Sequence, residues 1–160
     1  MPIRKFERGD IPELAEIVRA TKVFRDEEIE VAVELMEIAA NEKDEEEYFL
    51  YSYADDSGKL QGYYCVGPTP LTQATFDLYW IAVHPSAQRK KIGNMLLQHC
   101  EELVQNLGGK ILVVETSSQP KYEPTRKFYL RQHYAEEACI KDYYAAGDDL
   151  VIYTKHFKER

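Results

Sequence analysis

The sequence predicts an α/β fold: a single domain with a central mixed β-sheet flanked by helices. Three observations predict it. Hydrophobic spacing switches along the chain between the three-to-four period of helices and the alternation of strands. Two short runs are apolar at every position: Trp80, Ile81, Ala82 and Val83, then Ile111, Leu112, Val113 and Val114. That is the pattern of strands covered on both faces. One amphipathic helix joins those runs, and strand–helix–strand order with a connection of that length makes the two strands parallel neighbours. The length of 160 residues suits one domain, and apolar residues at 44% supply a sizeable core.

Residues 2–6 alternate weakly and read as a short strand. Asp10 is placed to cap a first helix, with Pro12 in its first turn and Ile11, Leu14, Ile17 and Val18 on one apolar face. A second helix is expected over about 26–40, with Ile29, Val33, Met36 and Ala40 inward. Its other face is acidic, and the acid continues through Asp44, Glu45, Glu46 and Glu47. The period then becomes two. Residues 48–54 and 59–67 form strands around the turn Asp55-Asp56-Ser57-Gly58. Pro68 and Pro70 break the chain before a long strand over 75–83, which His84-Pro85 stops. A basic loop leads into a helix over 92–107 with the stripe Ile92, Met95, Leu96, Cys100, Leu103, Val104 and Leu107. Gly108-Gly109 ends it, and a buried strand over 111–114 is closed by Glu115. A short helix near 124–132 and strands near 134–140 and 149–155 complete the chain.

Net charge of −8 argues against nucleic acid as the partner, because phosphate binding needs a basic face. It suits a cationic one. Twelve tyrosines fit strands and pockets in which a ring packs and a hydroxyl reaches a ligand. Cys65, Cys100 and Cys139 lack metal-ligand spacing and read as reduced, buried thiols of a cytoplasmic protein. Four scattered histidines give no metal site. The polar first ten residues do not resemble a secretory leader, and no apolar run approaches the ~20 residues of a membrane span. No membrane partner is therefore expected; monomer and homodimer are both open.

The segment Gln88-Arg89-Lys90-Lys91-Ile92-Gly93-Asn94 places three cations at the entrance of a helix. A helix N-terminus carries about half a positive charge and favours acids instead. A bound anion resolves the conflict, since N–H groups and cations then face it together. Gly93 lets backbone approach that anion. The loop also lies at the carboxyl edge of the predicted parallel pair, where such sheets bind ligands.

These residues resemble a known signature. Ile81-Ala82-Val83-His84-Pro85 followed by Gln88 and Gly93 is similar to the acetyl-CoA motif of the GNAT superfamily of N-acetyltransferases. That motif reads Gln/Arg-x-x-Gly-x-Gly/Ala after a strand. Lys91 departs from it at the first glycine. The run Tyr122-Glu123-Pro124-Thr125-Arg126-Lys127-Phe128-Tyr129, with Gln132-His133-Tyr134, resembles a second family segment, with His133 in place of its glycine. The resemblance implies a splayed sheet. It implies acetyl-CoA held by Gln88, Arg89, Lys90, Lys91, Ile92, Gly93 and Asn94, with its pantetheine pairing along Ile81, Ala82 and Val83. A backbone N–H near Val83 would serve the oxyanion.

Acetyl transfer to an amine needs a base for the ammonium proton, stabilisation of the thioester oxygen and an acid for the leaving sulfur. No metal is required. By the resemblance, Tyr129 is the candidate acid. Glu115 is the first candidate base and Asp77 the second. Tyr143 and Tyr144 near the last hairpin resemble tyrosines that grip peptides in acetyltransferases of protein N-termini. The acceptor class stays open between small cationic amines and peptide or protein amines. A non-catalytic acetyl-CoA sensor of the same fold is the alternative.

Overall fold

The computed structural model describes residues 2–41 and 47–158, with the side chain of Arg89 left out. The acidic run expected at residues 44–47 falls, except for Glu47, outside them. The order is β1 (Ile3–Lys5), a turn of 3-10 helix (Arg8–Asp10), α1 (Ile11–Ala20), α2 (Asp26–Asn41), β2 (Phe49–Ala54), β3 (Leu60–Pro68) and β4 (Thr75–Val83). Then come a 3-10 segment (Pro85–Lys90), α3 (Ile92–Asn106), β5 (Ile111–Ser117), a 3-10 turn (Pro120–Tyr122), α4 (Glu123–Arg131), β6 (Ala135–Ala145) and β7 (Asp148–His156). The seven strands form one sheet in the order β1-β2-β3-β4-β5-β7-β6. Only β4 and β5 pair in parallel. The expected mixed sheet and its parallel pair are thus present.

Two cores lie on its faces. On one, α1 and α2 bury Leu14, Val18, Ala32 and Met36 against Leu50, Tyr63 and Ala82. On the other, α3 and α4 bury Leu96, Cys100, Val104 and Tyr129 against Val66, Leu78, Val114 and Tyr153.

Several local expectations are corrected. Asp10 makes no side-chain cap to α1. Its carboxylate accepts from the Glu7 N–H at 2.9 Å and takes both Arg4 nitrogens at 2.8 Å, so an ion pair to β1 outcompetes the cap. The buried centre of α2 is Ala32 and Met36; Val33 and Ala40 are only half-buried, because the helix is rotated by about one position. In α3, Leu97 joins the core, whereas Leu107 lies past the last turn and is 46% exposed. Cys65 and Cys100 are buried as expected, but Cys139 is exposed, as is every residue of β6.

Candidate active site

The site begins where two strands part. β4 and β5 are in register from Thr75↔Ile111 to Leu78↔Val114 and no further. Beyond that point β4 stays with β3 through Val83, and β5 stays with β7 through Ser117. A β-bulge between Cys65 and Val66 leaves Tyr79 as the extra residue on β4, and bulges bend and twist the strand that carries them. The result is a wedge between the strands, with its vertex at Leu78 and Val114.

Main-chain groups face into this wedge. The His84 N–H donates to the Gln61 carbonyl at 2.7 Å, so residue 84 bonds toward β3. Antiparallel strands alternate the direction of their hydrogen bonds. Ile81 and Val83 therefore point N–H and C=O away from β3, toward the gap. Trp80, Ile81 and Val83 are half-buried rather than fully buried, as residues on an open lip must be. The wedge explains why the continuous apolar run does not end in a closed core.

The wide end of the wedge meets the start of α3. Lys91 takes a left-handed conformation there, with φ 59°. It is the N-cap, yet it makes no side-chain cap, and the first turn holds no acid. The N–H groups of Ile92, Gly93 and Asn94 stand ahead of the first intrahelical bond, from Met95 to the Lys91 carbonyl. Lys90 and Lys91 are exposed beside them. Gln88 donates from Nε2 to the Val83 carbonyl at 3.3 Å, tying the loop to the strand end. A Cβ on Gly93 would meet Phe128 at 3.5 Å, which is ordinary contact, so the protein's own packing does not demand glycine there.

The left-handed conformation costs an L-residue roughly 1–2 kcal/mol, and glycine is exempt. Lys91→Gly is therefore expected to raise the unliganded protein's stability by up to about 1 kcal/mol, read from urea unfolding. A loss of stability would show that the lysine side chain offsets its backbone. His133 repeats the pattern: φ is 70° at the end of α4, again where the family motif has glycine.

The candidate catalytic residues lie on opposite faces of the sheet. Tyr129 is 2% exposed on the α3/α4 face. Its ring lies 5.3 Å from Phe128, 5.6 Å from Tyr134 and 6.2 Å from Tyr153. Its hydroxyl hydrogen-bonds to no described residue, and burial pushes its pKa up, so it stays protonated. Phe128, its neighbour, packs under Gly93 instead.

Asp77 and Glu115 lie on the α1/α2 face, because Phe76, Leu78, Leu112 and Val114 point to the other core. Glu115 does not close β5 as expected. The strand runs on to Ser117, because β7 continues to pair with it, and Glu115 stands opposite Ile152. It is the first β5 residue beyond the parallel ladder. Burial, then the neighbouring Asp77 carboxylate, raises the Glu115 pKa above the usual range. Asp77 accepts from the Thr69 hydroxyl at 2.7 Å. Neither carboxylate pairs with a described cation.

Sequence reasoning passed over three features. Phe24, between α1 and α2, sits edge-on to Trp80 at 4.7 Å and to Tyr122 at 6.4 Å, so one ring bridges both lips of the opening. Arg126 donates to the Ser117 carbonyl at 2.6 Å and the Gln119 carbonyl at 3.0 Å, which pins the exit of β5. Residues 141–144 arch away from β7 between the pairs Ile140↔Leu150 and Ala145↔Asp148. The Asp149 carboxylate accepts from the Asp142 N–H at 2.9 Å, and the Asp142 carboxylate from the Gly147 N–H at 2.8 Å. That arch carries Tyr143 and Tyr144, with ring centroids 5.0 Å apart. Only the paired aspartates and Gly147 hinted at it in the sequence.

An uncapped helix start flanked by lysines opens into a wedge lined by outward-facing amides, an arrangement whose chemistry suits an extended, anionic ligand. Comparison with known proteins makes the class specific. The model of the acetyltransferase (GNAT) family matches residues 11–134. A crystal structure from Desulfovibrio desulfuricans, described as an acetyltransferase of the GNAT family, is 38% identical, with 96% of this chain and 97% of that chain covered and a TM-score of 0.92. An aminoglycoside 6'-N-acetyltransferase complexed with coenzyme A is 19% identical, covering 100% and 99%, with a TM-score of 0.79. The ribosomal-protein-S18-alanine N-acetyltransferase from Escherichia coli is 20% identical, covering 99% and 94%, with a TM-score of 0.76. No curated protein sequence matches. The chain belongs to the GNAT acetyltransferase family and is an acyltransferase. No helix among the described residues is long and apolar enough to cross a membrane.

Proposed function

We propose that this acyltransferase moves the acetyl group of acetyl-CoA to a primary amine by direct attack. The observation that supports the reading is the wedge, a gap between β4 and β5 through which one extended molecule could reach both faces of the sheet. The pyrophosphate sits on the N–H groups of Ile92, Gly93 and Asn94 beside Gln88, Arg89, Lys90 and Lys91. The pantetheine arm runs along Ile81, Ala82 and Val83, bonding to the main-chain groups that β5 leaves unpaired. No metal enters the scheme.

The amine enters from the α1/α2 face. Glu115, with Asp77 beside it, takes the ammonium proton, and a raised carboxyl pKa makes Glu115 the better base. The nitrogen lone pair attacks the thioester carbon. One outward-facing N–H near Val83 donates to the oxygen as charge develops. The C–N bond forms, the C–S bond breaks as Tyr129 gives its proton to the leaving sulfur, and the second proton of the attacking nitrogen returns Tyr129 to its neutral form, leaving a neutral amide and a free thiol. The acceptor is a small cationic amine or a peptide amine, drawn by the uncompensated Asp77–Glu115 pair and gripped by Tyr143 and Tyr144.

A screen of amines and peptides with detection of released CoA thiol tests the reading. Release that depends on an acceptor supports it. If acetyl-CoA raises the melting temperature but no acceptor releases thiol, the chain is a sensor. Saturation at a hundredfold excess over Kd stabilises by about 2.7 kcal/mol, a readily measured shift. Gly93→Ala separates the cofactor loop from the fold. The variant is expected to keep its unliganded melting temperature and to bind acetyl-CoA about tenfold more weakly, since a methyl group intrudes where backbone meets phosphate. Unchanged affinity would remove the pyrophosphate from that turn.

A further inference from the structure

Parting from β4 leaves the end of β5 with one flanking strand. From Glu115 to Ser117 the ladder to β4 has ended and the ladder to β7 continues. The segment that carries Glu115 thus loses a restraint where its position matters most. A strand held on one side opens locally more readily than one held on both.

The helix layer supplies a second restraint. Arg126, in α4, reaches the end of β5: its Nη1 donates to the Ser117 carbonyl at 2.6 Å and to the Gln119 carbonyl at 3.0 Å. Bonds from a charged donor are shorter and stronger than neutral ones. Both acceptors are main-chain oxygens, so the guanidinium fixes the course of the chain itself. The Gln119 carbonyl also accepts from the Tyr122 N–H at 3.0 Å, the bond that closes the turn leading into α4. The Ser117 hydroxyl accepts from the Gln119 N–H at 3.1 Å and donates to the Asp148 carboxylate at the start of β7.

One clasp at residues 117–119 therefore joins β5, β7 and α4. Glu115 stands two residues before it on β5. Tyr129 stands three residues after Arg126 on a helix of nine residues, and positions three apart are neighbours on a helix surface. The clasp links the strand that carries Glu115 to the helix that carries Tyr129.

We propose that Arg126 is a positioning residue for acetyl transfer: by tying the end of β5 to α4, it sets the separation of Glu115 and Tyr129 across the wedge. The proposal rests on the amine-acetylating function given above, and it adds a residue that acts through two others. A displacement of about 1 Å between reacting groups lowers a rate by up to about 10²-fold, so loss of the clasp is read in kcat.

Arg126→Met removes both bonds and keeps the stem. It is expected to lower kcat by about 10- to 100-fold, with affinity for acetyl-CoA, read from the melting shift, changed by less than about twofold. Double-mutant cycles separate positioning from plain stability. In the Tyr129→Phe and Glu115→Gln backgrounds no acid–base pair remains to be placed, and the Arg126→Met loss should shrink to about twofold or less. In the Gly93→Ala background, where the lesion lies in the cofactor loop, the full loss should persist. Arg126→Lys keeps the charge and covers a Met variant that melts below the assay temperature; its loss should be smaller and follow the same pattern. An unchanged kcat in both variants, or a loss of equal size in every background, overturns the proposal. If the wild type turns over normally, either of those results removes the positioning role alone. A wild type that releases no thiol with any acceptor sinks the enzymatic function and the positioning role with it.

Discussion

Replacing Tyr129 by Phe is expected to lower kcat by about 10²- to 10⁴-fold, the range that a positioned general acid contributes. Affinity for acetyl-CoA should change little, because the ring remains. The expectation rests on an unusual placement. Tyr129 is almost wholly buried among Phe128, Tyr134 and Tyr153, yet its hydroxyl bonds to no described residue. The oxygen is not among the buried polar atoms left without a partner, so the ring is packed while the hydroxyl stays accessible. Removing the oxygen orphans no other group, and the variant should melt at the same temperature or higher. The neighbouring Tyr134 is the opposite case, since its hydroxyl donates to Glu101 at 2.7 Å inside a structural cluster with Lys155. A Tyr129→Phe protein that turns over at the normal rate would remove Tyr129 from the chemistry.

The second large effect is expected at Glu115. Glu115→Gln should lower kcat/KM by about 10²- to 10⁴-fold as the base is lost. The pH profile supplies an independent reading. Burial and the Asp77 charge hold the Glu115 carboxyl protonated to higher pH than usual. Activity in the wild type should therefore rise along an acid limb set by that raised pKa. Asp77→Asn removes one of the causes, so the limb should move to lower pH. A limb that stays in place would mean that another group controls it.

Stability should move the other way. A carboxyl whose pKa is raised on folding binds protons more tightly in the folded state. The folded protein therefore loses stability as pH climbs from the unfolded pKa through the raised one. Glutamine carries no such penalty, so the Glu115→Gln protein should be at least as stable as the wild type at neutral pH, by thermal or urea melts. A catalytic defect together with unreduced stability distinguishes a lost base from a damaged fold.

Much of this arrangement was legible in the chain. Local rules found the helices, the parallel pair around α3 and the cationic loop, because each depends on residues close in sequence. They misjudged features set by packing. Cys139 looks like a core thiol from its apolar neighbours, but β6 lies at the sheet edge with all eleven residues exposed. Leu107 continues the α3 stripe on paper, yet the helix has ended before it. Glu115 looks like a strand terminus because the apolar run stops there, whereas main-chain bonds to β7 carry the strand on to Ser117.

The sequence by itself determined the family, through Gln88, Gly93 and the strand before them, and the contradiction of lysines set against a helix dipole. Lys91 could be read as a glycine substitute, but its left-handed φ of 59° had to be seen. Only the tertiary structure decided that β4 and β5 part after Leu78 and Val114. No local pattern encodes that separation. It arises because β3 holds β4, and β7 holds β5, past the point where the two still hold each other. The competition among four strands opens the wedge, turns the amides of Ile81 and Val83 into it, and sets Tyr129 and Glu115 on its two sides.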